Sequence, residues 1–276
     1  MKTIVHLSDL HFGAELTQLA AALREDILAR PPSLVVISGD LTQRARGSQF
    51  LAAQAYLKTL PGPQLAIPGN HDIPLYDVLR RFAAPLARYR RYIATDVDPT
   101  FVDDELFVAG INTARSLTWK SGRISERQIA TLKTRLERTR ARFKVVVTHH
   151  PFIPPPLDSS SDARIDLVGR ATQALSILDA GRVDVLLAGH LHHGYSGDVR
   201  THYPAAKRAI VCAQAGTAIS HRVRGIEPNG YNRIVLDADT IQIEVRTWKE
   251  SAFVTLRTVG YRRIDDGWQA VARESL

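Results

Sequence analysis

A chain of 276 residues with 45% apolar and 23% charged content is an ordinary globular composition, long enough for one large domain and too short for three. Its one cysteine, Cys212, excludes a disulfide framework and a thiolate metal cluster. The formal net charge of +8, carried mainly by arginine, favours anionic ligands, and phosphate esters, nucleic acid and acidic lipid surfaces all qualify; a solvated basic surface accounts for it equally well.

Residues 2–7 alternate in the manner of a strand and end at Ser8-Asp9-Leu10-His11, and 16–28 has helical apolar spacing stopped by Pro31-Pro32. The β-branched run 34–37 reads as a strand buried on both faces, ending at Gly39-Asp40 before a helix over 48–60. A third strand over 64–67 runs into Pro68-Gly69-Asn70-His71-Asp72, a tight turn whose glycine lets the backbone bend and present three polar side chains to one cleft. Asn70 offers a neutral oxygen, His71 a titratable nitrogen, and Asp72 a carboxylate able to hold the His71 ring by its other nitrogen.

The pattern over 75–93 is helical and Arg-rich, followed by short strands near 101–102 and 106–109. A helix with a start signal at Ser125 is expected over 125–142, then a strand over 144–148 ending at His149-His150-Pro151. After a Pro- and Ser-rich loop over 152–161 come a helix over 172–180 and a strand over 183–188 ending at Gly189-His190-Leu191-His192. Beyond it only β-like runs remain, over 209–214, 231–236, 241–248, 253–256 and 259–264. No linker separates them, so one domain over 1–276 is expected. The first residues lack a long apolar core with a cleavage site, and no apolar run reaches the roughly 18 residues of a membrane span, which sets a cytoplasmic expectation.

Five strand ends therefore carry Asp9/His11, Asp40, Asn70, His149 and His190/His192, at the edge where open α/β sheets collect ligands. Residues two apart on extended backbone project to one side, so Asp9 with His11 and His190 with His192 read as chelating pairs. Imidazole with carboxylate suits Zn, Mn or Fe. Seven such residues exceed one ion's needs and fit a two-metal site bridged by a carboxylate and a hydroxide.

In type and order, Asp9-x-His11, Gly39-Asp40, Gly69-Asn70-His71-Asp72, His149 before His150-Pro151, and Gly189-His190-x-His192 resemble the calcineurin-like metallophosphoesterases over residues 4–192, most closely the bacterial class III cyclic-nucleotide phosphodiesterases. The resemblance implies a four-layer α/β-β/α sandwich in which the C-terminal part, 194–276, completes the second sheet. It implies two ions, Mn2+, Fe2+/Fe3+ or Zn2+, one held by Asp9, His11, Asp40 and His192, the other by Asp40, Asn70, His149 and His190, with Asp40 shared. His71 would be the catalytic histidine and Asp72 its orienting partner, with His150 behind the ligands. The activity implied is hydrolysis of a small phosphodiester, such as a cyclic nucleotide, by a metal-bridging hydroxide. Phospholipid, glycerophosphodiester or nucleic-acid hydrolysis are the alternatives, and a non-enzymatic scaffold of the same fold is the reading from another class.

Arg115, His150, His221 and Arg222 are the candidate substrate contacts, although loop packing explains Arg115 and a polar connection explains His221 and Arg222 as readily. Arg88-Tyr89-Arg90-Arg91-Tyr92 interleaves basic and aromatic residues and is read as a contact for a nucleobase, phosphate or acidic lipid surface, or as an exposed helix face. The expected partner is a small anionic phosphoester, with an acidic membrane surface or nucleic acid as further candidates and a homodimer as the candidate assembly.

Overall fold

The computed structural model describes residues 1–155, 167–224, 227–265 and 267–271. β1 (Lys2–Leu7), β2 (Leu34–Ile37) and β3 (Gln64–Ala66) are parallel neighbours, linked by α1 (Thr17–Ala29) and α2 (Gly47–Leu57). Their successive side chains enter different cores. Val5, Leu7, Val35 and Ile37 pack under Leu23, Ile27 and Phe50 of the two helices, while Ile4, Leu34 and Val36 face the other way. This period of two, apolar at both phases, is why β2 (Leu-Val-Val-Ile) is apolar throughout and buried on both faces.

The helical pattern expected over 75–93 becomes two short helices, α3 (Val78–Ala83) and α4 (Ala87–Tyr92). The break falls at Ala84, φ −153° and ψ 62°, because the ring of Pro85 denies its predecessor the helical region. β4 (Thr100–Val102) and β5 (Leu106–Ile111) lead to α5 (Glu126–Arg138), where the Ser125 hydroxyl accepts from the Gln128 N–H at 3.2 Å. Then come β6 (Phe143–Thr148), α6 (Ala171–Ala180), β7 (Val185–Ala188), β8 (Tyr195–Asp198) and β9 (Val211–Gln214). The chain closes with β10 (Gly230–Asp237), β11 (Thr240–Lys249), β12 (Ala252–Ile264) and β13 (Gly267–Val271).

One sheet runs β13-β12-β11-β10-β1-β2-β3 and the other β4-β5-β6-β7-β9-β8. Val145, Val147, Leu187 and Val211 of the second meet Ile4 and Val36 of the first, and the outer face of the second is covered by Leu132, Leu136, Leu175 and Leu178 of α5 and α6. The architecture is the expected four-layer α/β-β/α sandwich. The late strands do not all complete the second sheet, however. Only β8 and β9 join it; β10 pairs antiparallel with β1, Lys2 opposite Leu236 and His6 opposite Asn232, and β11 to β13 extend the first sheet from there. Consecutive hairpins keep strands adjacent, so once β10 has covered the open edge of β1 the rest must follow. The runs over 253–256 and 259–264 are one strand, continuous through a register shift opposite Val245 and Arg246.

Candidate metal centre

The carboxyl ends of β1, β2, β3, β6 and β7 meet at one edge, and their loops bond to one another. Asp9 N–H donates to Gly39 O at 3.1 Å, His11 N–H to Asp40 O at 2.9 Å, and Gly189 N–H to His149 O at 3.1 Å. Asp9 (φ 53°), His11 (φ 48°), Asp40 (φ 53°), His190 (φ 70°) and His192 (φ 56°) all adopt the left-handed conformation. That region costs an L-residue roughly 1–2 kcal/mol and persists only where surrounding bonds impose it. Asp9 and His11 thus do not reach one side by lying two apart on extended backbone; left-handed turns aim them. His190 and His192 are not a chelating pair either, for they turn to opposite ends of the cleft.

At one end, His192 Nε2 lies 3.1 Å and His11 Nε2 3.6 Å from Asp9 Oδ1, and the two imidazole nitrogens face each other at 3.2 Å. At the other, Asn70 Oδ1 is 3.0 Å from His149 Nε2 and 3.1 Å from His190 Nδ1. Asp40 stands between, with Oδ2 3.7 Å from His11 Nε2 and Oδ1 3.4 Å from His149 Nε2. Asp9, His11 and His192, and likewise Asp9, Asp40 and His149, bring one possible ligand atom each to within 4.8 Å of one another.

The donor set fits cations. His149 Nδ1 gives its hydrogen to Ser38 O at 2.8 Å and His192 Nδ1 gives its own to Arg222 O at 2.5 Å, since a carbonyl can only accept; in the neutral rings this turns Nε2 inward as a lone pair. The Asn70 amide is oriented by Nδ2 donating to Trp119 O at 3.2 Å, which points Oδ1 at the same place. Asp9 Oδ1 is buried without a hydrogen-bond partner. Lone pairs and charged oxygens thus converge with too few protons among them. The acid–base balance reflects this. Burial depresses the His149 ring, but the Asp40 carboxylate outweighs it and pushes the ring up to about 9. Burial and then the neighbouring His149 push His190 down to about 3.

The model of the calcineurin-like phosphoesterase family matches residues 2–194. The chain belongs to this family. The family is one of metal-dependent phosphoesterases, and this chain has His/Asp groups that could hold a metal ion. The glycerophosphodiester phosphodiesterase GpdQ of Enterobacter lignolyticus is 25% identical over 164 residues, 55% of this chain and 57% of that protein, so the chain spans little over half of that relative. A probable cyclic nucleotide phosphodiesterase of Synechococcus sp. is 25% identical over 210 residues, 70% of this chain and 74% of that one. Among solved structures, PhoD superposes with a TM-score of 0.73 at 12% identity, covering 100% of this chain and 72% of the other. A purple acid phosphatase from yellow lupin seeds gives 0.67 at 11% identity, covering 94% and 53%. These likenesses carry the fold.

In this calcineurin-like phosphoesterase the loop after β3 is tighter than its sequence implies. Gly69 has an ordinary φ of −104°; glycine is needed there because a Cβ would overlap the Asp40 carboxylate. Asp72 does not hold the His71 ring. Its carboxylate accepts from Gly69 N–H at 2.9 Å, Leu41 N–H at 3.1 Å, and Thr42 N–H and Oγ1 at 2.9 Å each, tying the β2 loop to the β3 loop. His71 and Asp72 sit on a 3₁₀ turn (Asn70–Asp72), where adjacent side chains diverge. The ring is held instead by Nδ1–H donating to Gln43 O at 2.9 Å, and Arg222 Nη1 donates to Nε2 at 3.0 Å.

The four candidate substrate contacts separate. Arg222 lines, with Gln43, Arg44, His71, Trp119 and Lys120, a cavity of about 190 Å³ against the metal cluster. Arg115 turns away, donating to Asn112 O at 2.9 Å, Ala114 O at 2.8 Å and Gln128 Oε1 at 2.7 Å. His150 is fully buried, with Nε2 donating to Lys120 O at 2.6 Å and Nδ1 accepting from Thr113 Oγ1 at 2.7 Å, so neither nitrogen is free for substrate. His221 is exposed. In the 88–92 run, Arg88 donates to Ala45 O at 2.8 Å and Tyr89 is buried, so that stretch braces α4 as much as it faces outward. The Pro-rich loop over 152–161 lies outside the described residues from 156 onward. Arg44, Gln43 and Trp119 escaped the sequence reading; the place of Arg44, four residues after Asp40, was the one signal for it.

Proposed function

We propose that this chain is a dinuclear metal-dependent phosphodiesterase acting on a small phosphodiester, with a cyclic nucleotide as the leading substrate class. The observation that carries the reading is Asp40, whose two oxygens face different groups, Oδ2 toward His11 and Oδ1 toward His149. One ion would lie with Asp9, His11, Asp40 and His192, the other with Asp40, Asn70, His149 and His190. Two divalent ions, two carboxylates and one hydroxide leave a charge of about +1, which a diester monoanion neutralises. When bound, such ions supply Lewis acidity toward phosphoryl oxygens and lower the pKa of water in the cleft.

The chain's own groups do the rest. Asp9 Oδ2 accepts from Ser8 Oγ at 2.5 Å and His190 N–H at 2.9 Å, which fixes the carboxylate before any ligand arrives. His71 faces the cavity with its Nε2 on Arg222. A diester anion gives the Arg222 guanidinium a better partner, which frees the Nε2 lone pair to take up a proton from solvent water; the resulting imidazolium then passes that proton to the leaving oxygen while Nδ1–H stays on Gln43 O. Arg44, Arg222 and Lys120 offer the phosphate further positive charge.

The second reading, a glycerophosphodiester substrate, is favoured by the likeness to the glycerophosphodiester phosphodiesterase of Enterobacter lignolyticus. The full set of seven ligand-type residues together with His71 opposes a non-enzymatic scaffold. Turnover of cyclic nucleotides, glycerophosphodiesters, bis-p-nitrophenyl phosphate, p-nitrophenyl phosphate and single-stranded DNA with added Mn2+ tests the proposal. Metal-dependent hydrolysis faster on diesters than on the monoester is expected; hydrolysis of the monoester alone, or no metal response, overturns it.

A further inference from the structure

Large exposed apolar side chains are scattered over most of the surface, but six of them gather on two segments beside the metal cleft. Tyr76, Val78, Leu79 and Phe82 lie on and before α3, and Leu117 and Trp119 in the loop between β5 and α5; Leu79 is 85% exposed, Leu117 80% and Trp119 65%. Leu79 and Phe82 are three residues apart on the helix and Val78 and Phe82 four, so the three share its outer face.

Arg81 makes the two segments one rim. It is 5% exposed, and its guanidinium donates to Pro74 O at 2.9 Å, Ser116 O at 2.8 Å and Thr118 O at 2.6 Å, with the Trp119 ring 5.6 Å away. A cation satisfied by three carbonyls is thus buried to fasten α3 to a loop whose apolar side chains are left in solvent, where an occupant would bury them. The rim is also joined to the cleft, because Trp119 O holds the Asn70 amide and the Trp119 ring lines the cavity with His71.

The charge around the rim identifies the occupant. The cavity it borders is lined by Arg44, Arg81, Lys120 and Arg222 and by no carboxylate. Residues 73–92 and 112–123 hold eight Arg or Lys against Asp77 alone; Arg81 among them is buried and Arg115 is turned toward Asn112 and Gln128, while Arg90, Arg91, Lys120 and Arg123 are exposed. A second copy of the chain would set this positive face against itself. Nucleic acid would satisfy the cations but offer nothing to bury Leu79 and Leu117. A bilayer surface with acidic lipids satisfies both, since aromatic and aliphatic side chains enter the interface while Arg and Lys meet the headgroups.

We propose that the rim formed by Tyr76, Leu79, Phe82, Leu117 and Trp119 docks on the surface of a bilayer containing acidic lipids, placing the metal cleft against the headgroup phosphates. That the cleft then hydrolyses a diester presented there rests on the function proposed above; the docking does not.

The test is flotation of the full chain with vesicles of phosphatidylcholine, with and without phosphatidylglycerol, at low and high salt, for the parent and a Leu79→Ser/Leu117→Ser double variant. Both side chains are exposed, so the variant is expected to keep the parent's melting temperature and its turnover of bis-p-nitrophenyl phosphate. The parent should bind the phosphatidylglycerol vesicles, more weakly at high salt, and the variant on the order of 100-fold more weakly. No vesicle binding by the parent, equal binding to both vesicle types, or equal binding by the two proteins overturns the proposal. So does a parent dimer by light scattering that the variant loses, or single-stranded DNA binding that the variant loses in place of vesicle binding. Vesicle binding as expected with no diester turned over sinks the enzymatic reading and keeps the docking; turnover of the soluble diester without vesicle binding does the reverse.

Discussion

The floor and the rim of the cleft are built on opposite principles. On the floor, Asp9, His11, Asp40, His149, His190 and His192 are buried, five of the six have left-handed backbone, and their loops bond to one another through main-chain groups. On the rim, Arg44, Trp119, Lys120 and Arg222 are half-buried or exposed, and they reach the cleft by long side chains. The floor is over-determined, so its positions are fixed before anything binds; the rim can rearrange around what arrives. Arg222 belongs to both, since its carbonyl holds His192 while its guanidinium meets His71. Changes to floor side chains should therefore cost metal, and changes to rim side chains should cost rate with metal retained.

The largest break is expected from Asp40→Ala. Its two oxygens face both groups, and Oδ1 also accepts from His71 N–H at 2.8 Å, so its loss would remove charge from between the two proposed cations and loosen the next loop. Activity should fall to the level of chelated protein, with fewer than two ions per chain by elemental analysis. Asp9→Ala should lose less of both, because the proposed arrangement assigns Asp9 to one ion and Asp40 to both, although Asp9 lies near ligand atoms of each cluster. Equal losses in the two variants would remove Asp40 from its shared position.

His71→Ala comes next and sharpens the comparison, since the ring lies at the boundary. Metal content should be unchanged, with a rate loss on the order of 10²–10⁴-fold for diesters with an alkoxide leaving group and a far smaller one for p-nitrophenolate, which leaves without a proton. A protein that has lost its ions, or that hydrolyses both kinds of diester at the parent rate, would take His71 out of the mechanism. Arg222→Ala should lower kcat/KM by about 10- to 100-fold with metal retained, because the carbonyl that orients His192 stays. Metal loss in that variant would show that the floor depends on the side chain as well.

The same division decides what could be read from the sequence. The seven ligand-type residues were legible because each stands at the end of an apolar run and its chemistry shows in its type, whatever the local torsion. Asp72 was misread because adjacency suggests contact, whereas a 3₁₀ turn sends neighbours apart and four donors from two loops claim the carboxylate. Arg44 and Trp119 could not be placed, since a long side chain reaches the cleft by a path that no spacing rule describes. In the fold, the parallel strands were plain from short apolar runs that each end in a polar motif, but β8 (Tyr-Ser-Gly-Asp) and β13 are short or polar and carry no such pattern. The sheet joined by β10 depends on which edge stands open, a property of the assembled layers.

Asp72→Asn tests that correction. The variant places an N–H₂ where two donors point, Thr42 N–H and Oγ1–H at one oxygen or Leu41 and Gly69 N–H at the other, leaving buried donors unmet at about 1–3 kcal/mol. Lower thermal stability is expected, with the His71 leaving-group dependence intact. Loss of that dependence at unchanged stability would restore Asp72 as the partner of the His71 ring.

The smallest effect is expected from Arg115→Ala. The guanidinium bonds to two carbonyls and to Gln128 Oε1, and Gln128 is itself the hub of the α5 start: Oε1 accepts from Ser125 N–H at 2.9 Å, and Nε2 donates to Asp98 Oδ1 at 2.7 Å and Asn112 O at 2.8 Å. The carbonyl of Asn112 and the Gln128 oxygen each keep another donor when Arg115 is removed, and the site is half-buried, so water can serve the remaining lone pairs. The cost should be about 1 kcal/mol in a denaturant titration, with kcat/KM within about twofold of the parent. A rate loss of tenfold or more without a change in stability would mean that Arg115 reaches the substrate after all, and that the rim extends further along the β5 loop than Arg44, Trp119 and Arg222.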